Sequence, residues 1–287
     1  YSVHPPLDKA GPANAPNTVP GTRGQQKSTA ADIVVAPWND AAALSMILDR
    51  HKGEIAAIIM EPVLCNTGAM VPKEGYLADA QQLCQDHGCL LIFDEVITGF
   101  RLAPGGAQEY LGVTPDLAVF GKAVAAGFPL SVLAGREEVM SLISRGEVAH
   151  SGTFNSNPIV MAAASAALHE LLCDNGAAYD KLFATGRRLM DGIRAAAAET
   201  GVSLLVDGPG PMFNIYLTDQ PAITDYRQYA ACDLAGMARL HTLLLDEGVN
   251  IVGRGLLFLS TEHSDADVDQ TVAAVRAALQ MFAAESA

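Results

Sequence analysis

The sequence is poor in basic residues and lacks long apolar runs. It has 18 lysines and arginines against 32 aspartates and glutamates, for a formal charge of -14 at pH 7. Nucleic-acid binding depends on clustered basic residues, so this balance argues against it. No apolar run reaches the roughly 18 residues of a membrane helix, and the first residues do not have the pattern of a secretory signal. We therefore expect a cytosolic protein that binds neither nucleic acid nor membrane.

The cysteines and histidines form no recognisable metal or redox motif. The five cysteines are an odd set without a CxxC pair, which fits reduced thiols better than a disulfide framework. Neither they nor the seven histidines have metal-site spacing, and the HExxH motif is absent. The glycine-rich GxGxxG and Walker motifs are absent too, which disfavours a nucleotide-binding α/β protein. We predict no metal site.

Short apolar segments alternate with helical periods in the first part of the chain. Residues 1 to about 29, rich in proline and glycine, predict a long loop. Strands are predicted at residues 55–60, 89–94, 116–120 and 131–134, and helices at residues 75–87 and 136–144. Apolar strands between helices are typical of a buried, mostly parallel sheet. The predicted fold class is α/β.

The rest of the chain predicts a smaller α+β domain. Helices are predicted at residues 157–172, 179–199, 226–247 and 265–283, and strands at residues 203–206 and 212–217 and near residues 249 and 256. The proline after Asn157 suits the first turn of a helix. We therefore expect a large domain over residues 1–175 and a small C-terminal domain over residues 176–287.

Two charged residues follow neighbouring apolar strands. Asp94 ends the strand predicted at 89–94, and Lys122 follows the strand predicted at 116–120. Each has an ordinary explanation, since such an Asp commonly caps a turn and a loop lysine is commonly solvated. Ligands of α/β sheets bind at the carboxyl ends of strands, however. Together the carboxylate and the amine suit the ring nitrogen and the aldehyde of pyridoxal phosphate (PLP). The apolar residues after Lys122 predict a largely apolar pocket around its amine.

The polar segment at residues 151–158 precedes a predicted helix. Gly152 and Thr153 offer backbone N–H groups and a hydroxyl that suit a phosphate near a helix N-terminus. The alternative is a polar loop that only caps the helix. Both interpretations stay open.

These segments together resemble the class III PLP-dependent aminotransferases, especially the glutamate-1-semialdehyde 2,1-aminomutase branch. The motifs are Glu61-Pro62, LIFDEVITGFR at 91–101, GGAQEY at 105–110, TPDL at 114–117, Gly121-Lys122, Gly152-Thr153 and Asn157-Pro158. The resemblance covers nearly the whole chain. It extends to residues 36–40, which look like the family's segment after a mobile gating loop, here residues 1–38.

The resemblance implies PLP fold-type I, with PLP and pyridoxamine phosphate alternating in the reaction. Lys122 would form the Schiff base, Asp94 would pair with the pyridine nitrogen, and Val96 would pack on the ring. Gly152 and Thr153 would reach the phosphate of the neighbouring subunit's cofactor in a homodimer. The implied substrate is a small amino acid or amino-aldehyde.

Three positions bear on the substrate. Ile97 stands where many family members have a glutamine that touches the cofactor's phenolic oxygen, and the aminomutase branch implies that Asn66 makes this contact. Arg254 stands where the β-amino acid aminotransferases place a carboxylate-binding arginine. The alternatives are a turn asparagine and a surface-turn arginine. We interpret Glu95 as structural.

Two family segments do not occur in the sequence. They are the Ser/Gly-rich phosphate-binding turn and the Tyr-His-Gly segment whose aromatic ring stacks on the cofactor. We therefore expect that the chain is part of a longer enzyme and that it binds PLP poorly alone. A catalytically silent fragment is the second alternative.

Overall fold

The computed structural model of the protein describes residues 5–286. Residues 1–4, where the predicted loop begins, and residue 287 lie outside the described residues. The helices are α1 (Lys27–Ala31), α2 (Ala41–Arg50), α3 (Tyr76–His87), α4 (Ala107–Leu111), α5 (Glu137–Ser144), α6 (Pro158–Leu172), α7 (Ala177–Thr200), α8 (Tyr226–Ala230), α9 (Leu234–Asp246) and α10 (Asp265–Ser286). The strands are β1 (Ala57–Met60), β2 (Leu90–Glu95), β3 (Leu117–Phe120), β4 (Val132–Gly135), β5 (Leu204–Asp207), β6 (Met212–Leu217) and β7 (Leu256–Phe258). Short 3₁₀ helices cover Lys122–Ala125 and Cys173–Gly176.

The chain divides into two compact units. The four-strand unit comprises residues 50–63 and 74–181, and the three-strand unit comprises residues 64–73 and 182–286 with the described residues up to 49. Contacts between residues thus group residues 5–49 with residues 182–286. The predicted domains, residues 1–175 and 176–287, stay a prediction. Within the described residues, no helix combines the length and apolarity needed to cross a membrane.

The four-strand unit has strand order β1-β2-β3-β4. The first three strands are parallel, and β4 runs antiparallel to β3. Side chains alternate in burial along β2, with Leu91 and Phe93 almost fully buried, because successive residues of a strand point to opposite faces. Helix α3 packs on β2 and ends between left-handed glycines, Gly75 and Gly88. The prediction of an α/β fold with a mostly parallel sheet is confirmed.

The three-strand unit contains the antiparallel order β5-β6-β7. All six residues of the central strand β6 are buried, as expected for a strand covered on both faces. Helix α9 packs on β6, and α10 packs on α9. The predicted pairing of the strands at 203–206 and 212–217 is confirmed within one residue.

Three local predictions were wrong. The helix expected over residues 226–247 is interrupted, because Asp233 caps a new helix by accepting a 2.7 Å hydrogen bond from Gly236 N. The strand expected near Val249 is not formed, and Val252 makes only an isolated bridge to Leu256. The predicted N-terminal loop contains the short helix α1.

Candidate functional site

Asp94 lies at the carboxyl edge of the parallel sheet. Strands β2 and β3 are parallel neighbours in which Asp94 is paired with Val119 and Glu95 with Phe120. Their carboxyl ends therefore lie side by side. Asp94 is half-buried, and its Oδ1 accepts a 3.0 Å hydrogen bond from Val96 N. The carboxylate is thus held by the backbone that follows its own strand.

Lys122 comes two residues after β3 and begins the 3₁₀ helix. Its φ is +46° and that of Ala126, just beyond the helix, is +48°. The left-handed region is unfavourable for residues with a Cβ, and each such residue costs about 1–3 kcal/mol unless the surroundings impose it. Strained backbone of this kind is common at functional sites.

The expected apolar pocket around Lys122 is not observed. The lysine is exposed, whereas Val124 and Ala125 are buried against Ala164 of α6. The apolar residues of the segment are therefore used to fix the 3₁₀ helix on α6. They do not enclose the amine, and the prediction was wrong on this point.

Val96 connects the two strand ends. A Cβ built on Gly121, the residue before Lys122, would lie 3.4 Å from Val96 Cγ1. Val96 is half-buried, and its N–H holds Asp94. The structure therefore brings the predicted residues Asp94, Val96 and Lys122 together at one edge of the sheet.

Glu95, next to Asp94, is fully buried and surrounded by hydrogen-bond donors. Thr98 Oγ1 donates to it at 2.9 Å, Ala107 N at 2.6 Å, Gln108 N at 3.2 Å and Gln108 Nε2 at 3.0 Å. Thr98 and Gln108 are not among the site residues predicted from the sequence. Both lie in segments that resemble the family, residues 91–101 and 105–110, and this likeness was the one sequence feature that could have indicated them.

Gly152 and Thr153 lie exposed in the loop before α6. Asn157 caps the helix, and its Oδ1 accepts hydrogen bonds from Ile159 N at 3.0 Å and Val160 N at 3.4 Å. The cap therefore satisfies N–H groups that were expected to be free for an anion. This supports the capping interpretation of the loop and leaves Gly152 and Thr153 as the phosphate candidates.

Asn66 lies in a tight turn of the three-strand unit. An isolated bridge between Leu64 and Met70 closes this turn. Gly68 has a φ of +100°, and a Cβ there would lie 2.6 Å from Tyr216 Oη. The same hydroxyl donates a 3.1 Å hydrogen bond to the Gly68 carbonyl. The turn that carries the half-buried Asn66 is therefore fixed in place.

Arg254 contacts the same turn. Its Nη2 donates to the Cys65 carbonyl at 3.4 Å, while its Nε is buried without a hydrogen-bond partner. Thr67 Oγ1 is likewise buried without a partner. We call these residues, 65–68 with Arg254, the arginine corner. Sequence reasoning missed Thr67, because nothing in its local pattern distinguishes it.

Two tyrosines beside the arginine corner have raised pKa values. Burial, and then the charge of Asp207, raises the pKa of the Tyr216 hydroxyl far above its ordinary value. Burial also raises the pKa of Tyr229, and the positive charge of Arg254 opposes this. Both tyrosines pack with Met70 and Ile223 in one apolar cluster. The corner is thus a low-polarity environment for the guanidinium.

Within residues 5–286, no group of three or more His, Cys, Asp or Glu side chains could hold a metal ion. The chemistry of the sheet edge consists instead of a carboxylate, an amine and an apolar side chain. This set suits a flat ligand that has a basic ring nitrogen and an aldehyde. The phosphate candidates belong to the same unit.

The family model described as Aminotransferase class-III matches residues 17–279 of the chain. The chain is 40% identical over 276 residues to a glutamate-1-semialdehyde 2,1-aminomutase of Alkaliphilus oremlandii, covering 95% of this chain and 63% of that protein.

Two solved structures are also similar to the chain. An omega-transaminase from Sphaerobacter thermophilus superposes with a TM-score of 0.89 at 33% identity, covering 96% of this chain and 63% of that one. A beta-phenylalanine aminotransferase from Variovorax paradoxus superposes with a TM-score of 0.76 at 33% identity, covering 84% and 56%. The chain thus spans less than two thirds of the length of these relatives, and the resemblance inferred from its motifs is confirmed.

Proposed function

Because the chain belongs to the class III aminotransferase family, we propose that it contributes to PLP-dependent amino-group transfer, with Lys122 as the residue that binds the cofactor covalently. One observation carries this proposal. Asp94 lies at the end of β2 and Lys122 just after the neighbouring parallel strand β3, and Val96 donates a hydrogen bond to the Asp94 carboxylate while its side chain lies beside Gly121. An acidic residue and a lysine are the pair that PLP enzymes use.

The residues present fit this cofactor. Asp94 would keep the ring nitrogen protonated, Val96 would pack on the ring, and Lys122 would bond to the aldehyde. When bound, PLP supplies an electron sink for the bond broken at the substrate carbon. Asn66 is the proposed contact of the phenolic oxygen. Its half-buried position in a fixed turn supports a defined orientation for its amide.

Lys122 has two tasks in the proposed reaction. It would hold the cofactor through its amine, and this amine, once free, would take the proton from the substrate carbon that carries the amino group. Its exposure makes the amine accessible to both partners. Asp94 would accept a hydrogen bond from the protonated ring nitrogen and so hold that proton in place.

We propose a homodimer in which Gly152 and Thr153 bind the phosphate of the cofactor in the neighbouring subunit. Both residues are exposed in a loop ahead of α6, which supports a role outside their own unit. The same helix leaves Ile159 69% exposed, and Phe154 of the loop is 81% exposed. Large apolar side chains that are exposed near one another in the chain suit an interaction surface. A cytosolic location stays a prediction.

The substrate defines the main alternative. Likeness to an aminomutase supports an amino-aldehyde such as glutamate-1-semialdehyde. Likeness to a β-phenylalanine aminotransferase and the unpaired buried Nε of Arg254 support a β-amino acid whose carboxylate binds Arg254. An arginine binds a carboxylate through two parallel hydrogen bonds. A chain that is silent alone remains the second alternative, because it spans 63% of its relatives' length.

Two assays test these proposals. Titration of the chain with PLP, followed by visible absorbance, is expected to show weak uptake, and tight stoichiometric uptake would refute the expected need for a longer chain. A chain extended at its N-terminus to the length of the relatives is expected to convert an amino donor and to release a carbonyl product. Absence of turnover with both amino-aldehydes and β-amino acids would contradict the proposed function.

A further inference from the structure

The Glu95 carboxylate is placed to do more than fill the core. It is fully buried and accepts four hydrogen bonds, from Thr98, Ala107 and both the backbone and the side chain of Gln108. A buried charge is costly unless donors surround it, and hydrogen bonds to a carboxylate are stronger than neutral ones. Glu95 therefore fastens the beginning of α4 to the end of β2.

Gly106 reserves the space for this carboxylate. The glycine has a φ of +80°, and a Cβ there would overlap Glu95 Oε2. A side chain at this position would be strained by its backbone conformation and would displace the carboxylate. The close approach of α4 to Glu95 thus depends both on the hydrogen bonds that the carboxylate accepts and on the absence of a side chain at Gly106.

Glu95 also closes the turn at residues 96–101. Its backbone carbonyl accepts a 2.9 Å hydrogen bond from Gly99 N, and its side chain accepts the hydroxyl of Thr98. The first residue of the turn, Val96, donates its N–H to Asp94 Oδ1 at 3.0 Å. The orientation of the Asp94 carboxylate therefore depends on a turn that Glu95 holds.

The other end of this turn reaches the strand before Lys122. The rings of Phe100 and Phe120 pack with centroids 5.4 Å apart, and Gly99 leaves room for the ring of Phe120. Val96 lies against Gly121, the residue before Lys122. The turn thus contacts Asp94 through a hydrogen bond and the two residues before Lys122 through packing.

We propose that Glu95 is a positioning residue that holds the turn at 96–101 and thereby fixes Asp94 relative to Lys122. This goes beyond the structural role given to Glu95 by its sequence context. It rests on the proposed function of Asp94 and Lys122. None of the four hydrogen bonds of the Glu95 side chain involves Val96 or Lys122. The proposal nevertheless predicts that a substitution at Glu95 changes hydrogen exchange at Val96 and PLP binding at Lys122.

The test replaces Glu95 by glutamine in the full chain. Glu95→Gln keeps the volume but presents an amide NH₂ to groups that are themselves donors. We expect the Val96 amide to exchange its hydrogen at least about tenfold faster, because local opening becomes easier when charge-assisted hydrogen bonds are lost. We expect the yield of borohydride-trapped PLP on Lys122 to fall. Glu109→Gln is the matched control, since Glu109 is exposed in the same segment and accepts one hydrogen bond, from Gly105 N.

The outcomes separate the possibilities. Faster exchange at Ala107 and Gln108 with unchanged Val96 exchange and unchanged Lys122 trapping would overturn the inference, because Glu95 would then be only structural. If Glu95→Gln does not fold, Thr98→Val is the second variant, because it removes one donor to Glu95. We then expect a smaller acceleration of hydrogen exchange at the Val96 amide. Unchanged exchange at Val96 would overturn the inference. Absence of any Lys122 adduct in the wild-type enzyme extended at its N-terminus would contradict the proposed function, while Val96 exchange would still decide the role of Glu95.

Discussion

The sheet edge of the four-strand unit and the arginine corner of the three-strand unit are built differently. At the sheet edge, Asp94 lies at the end of β2 and Lys122 just after the adjacent strand β3, and Val96 N donates a hydrogen bond to Asp94. At the arginine corner, Arg254 bonds to a residue 189 positions away. Tyr216 bonds to Gly68 over a separation of 148 residues. The first site is local in sequence, and the second is made by tertiary contacts.

This difference explains what each site can tolerate. The sheet edge is held by backbone hydrogen bonds and strand pairing, so the fold depends little on which side chains Asp94 and Lys122 carry. The arginine corner depends on close packing, because Gly68 has no room for a Cβ and Tyr216 is 3% exposed. Substitutions at the sheet edge should therefore affect function first, and substitutions at the corner should affect stability first.

The largest effect is expected for Lys122→Ala. Loss of the amine removes the only bond to the cofactor's aldehyde that we propose, so the visible absorbance band of lysine-bound PLP should disappear from the N-terminally extended enzyme. Folding should persist, because Lys122 is exposed. Lys52→Ala, an exposed lysine of the same unit, should keep the band. A band of equal intensity in Lys122→Ala would contradict the assignment.

Asp94→Asn should have the next largest effect. The amide keeps the shape but loses the charge that holds a proton on the ring nitrogen, so turnover by the N-terminally extended enzyme should fall at least about 100-fold. Circular dichroism and thermal unfolding should change little. A loss below threefold would show that the sheet edge does not work as proposed.

Much of the sheet edge could be predicted from the sequence. Apolar periodicity located β2 and β3, and parallel pairing then placed Asp94 and Lys122 at the same edge. The exposure of Lys122 could not be predicted, because it depends on the packing of Val124 and Ala125 against α6. The partnership of Arg254 with residue 65 was out of reach for a related reason. No local pattern in a single sequence records a contact across 189 residues.

Gly68→Ala tests the packing of the arginine corner. The added methyl meets Tyr216 in a backbone conformation with φ of +100°, so we expect a loss of about 2–3 kcal/mol in the free energy of unfolding. The control is Gly248→Ala, where φ is +82° but nothing lies near the added Cβ. Urea denaturation compares them. Equal losses would mean that packing adds nothing to backbone strain at Gly68.

Arg254→Ala asks whether the corner also binds substrate. We expect KM for a carboxylate-bearing donor to rise about tenfold, while an amine without a carboxylate is unaffected, because a charge-assisted hydrogen-bond pair is lost. Arg239→Ala, which removes an exposed arginine paired with Glu285, is the control. Unchanged kinetics would leave Arg254 with a purely structural role.

The smallest effect concerns pH. Since burial raises the pKa of Tyr216 above the 10.0 of a free tyrosine, the folded state favours the neutral hydroxyl. Its stabilising contribution is complete below pH 10 and is lost as the pH rises further. Tyr216→Phe should therefore reduce the fall in stability between pH 9 and pH 11. A pH dependence equal to that of the wild type would place the titration elsewhere.

The most direct test of the central claim is a map of where PLP bonds to the chain. The six lysines of the sequence provide an internal comparison, because the other five belong neither to β2 and β3 nor to the segments that directly follow these strands. After incubation with excess PLP, borohydride reduction and peptide mass spectrometry, we predict that Lys122 carries more of the cofactor than any other lysine. A distribution that follows exposure alone, with Lys122 no more modified than Lys52, would contradict the account.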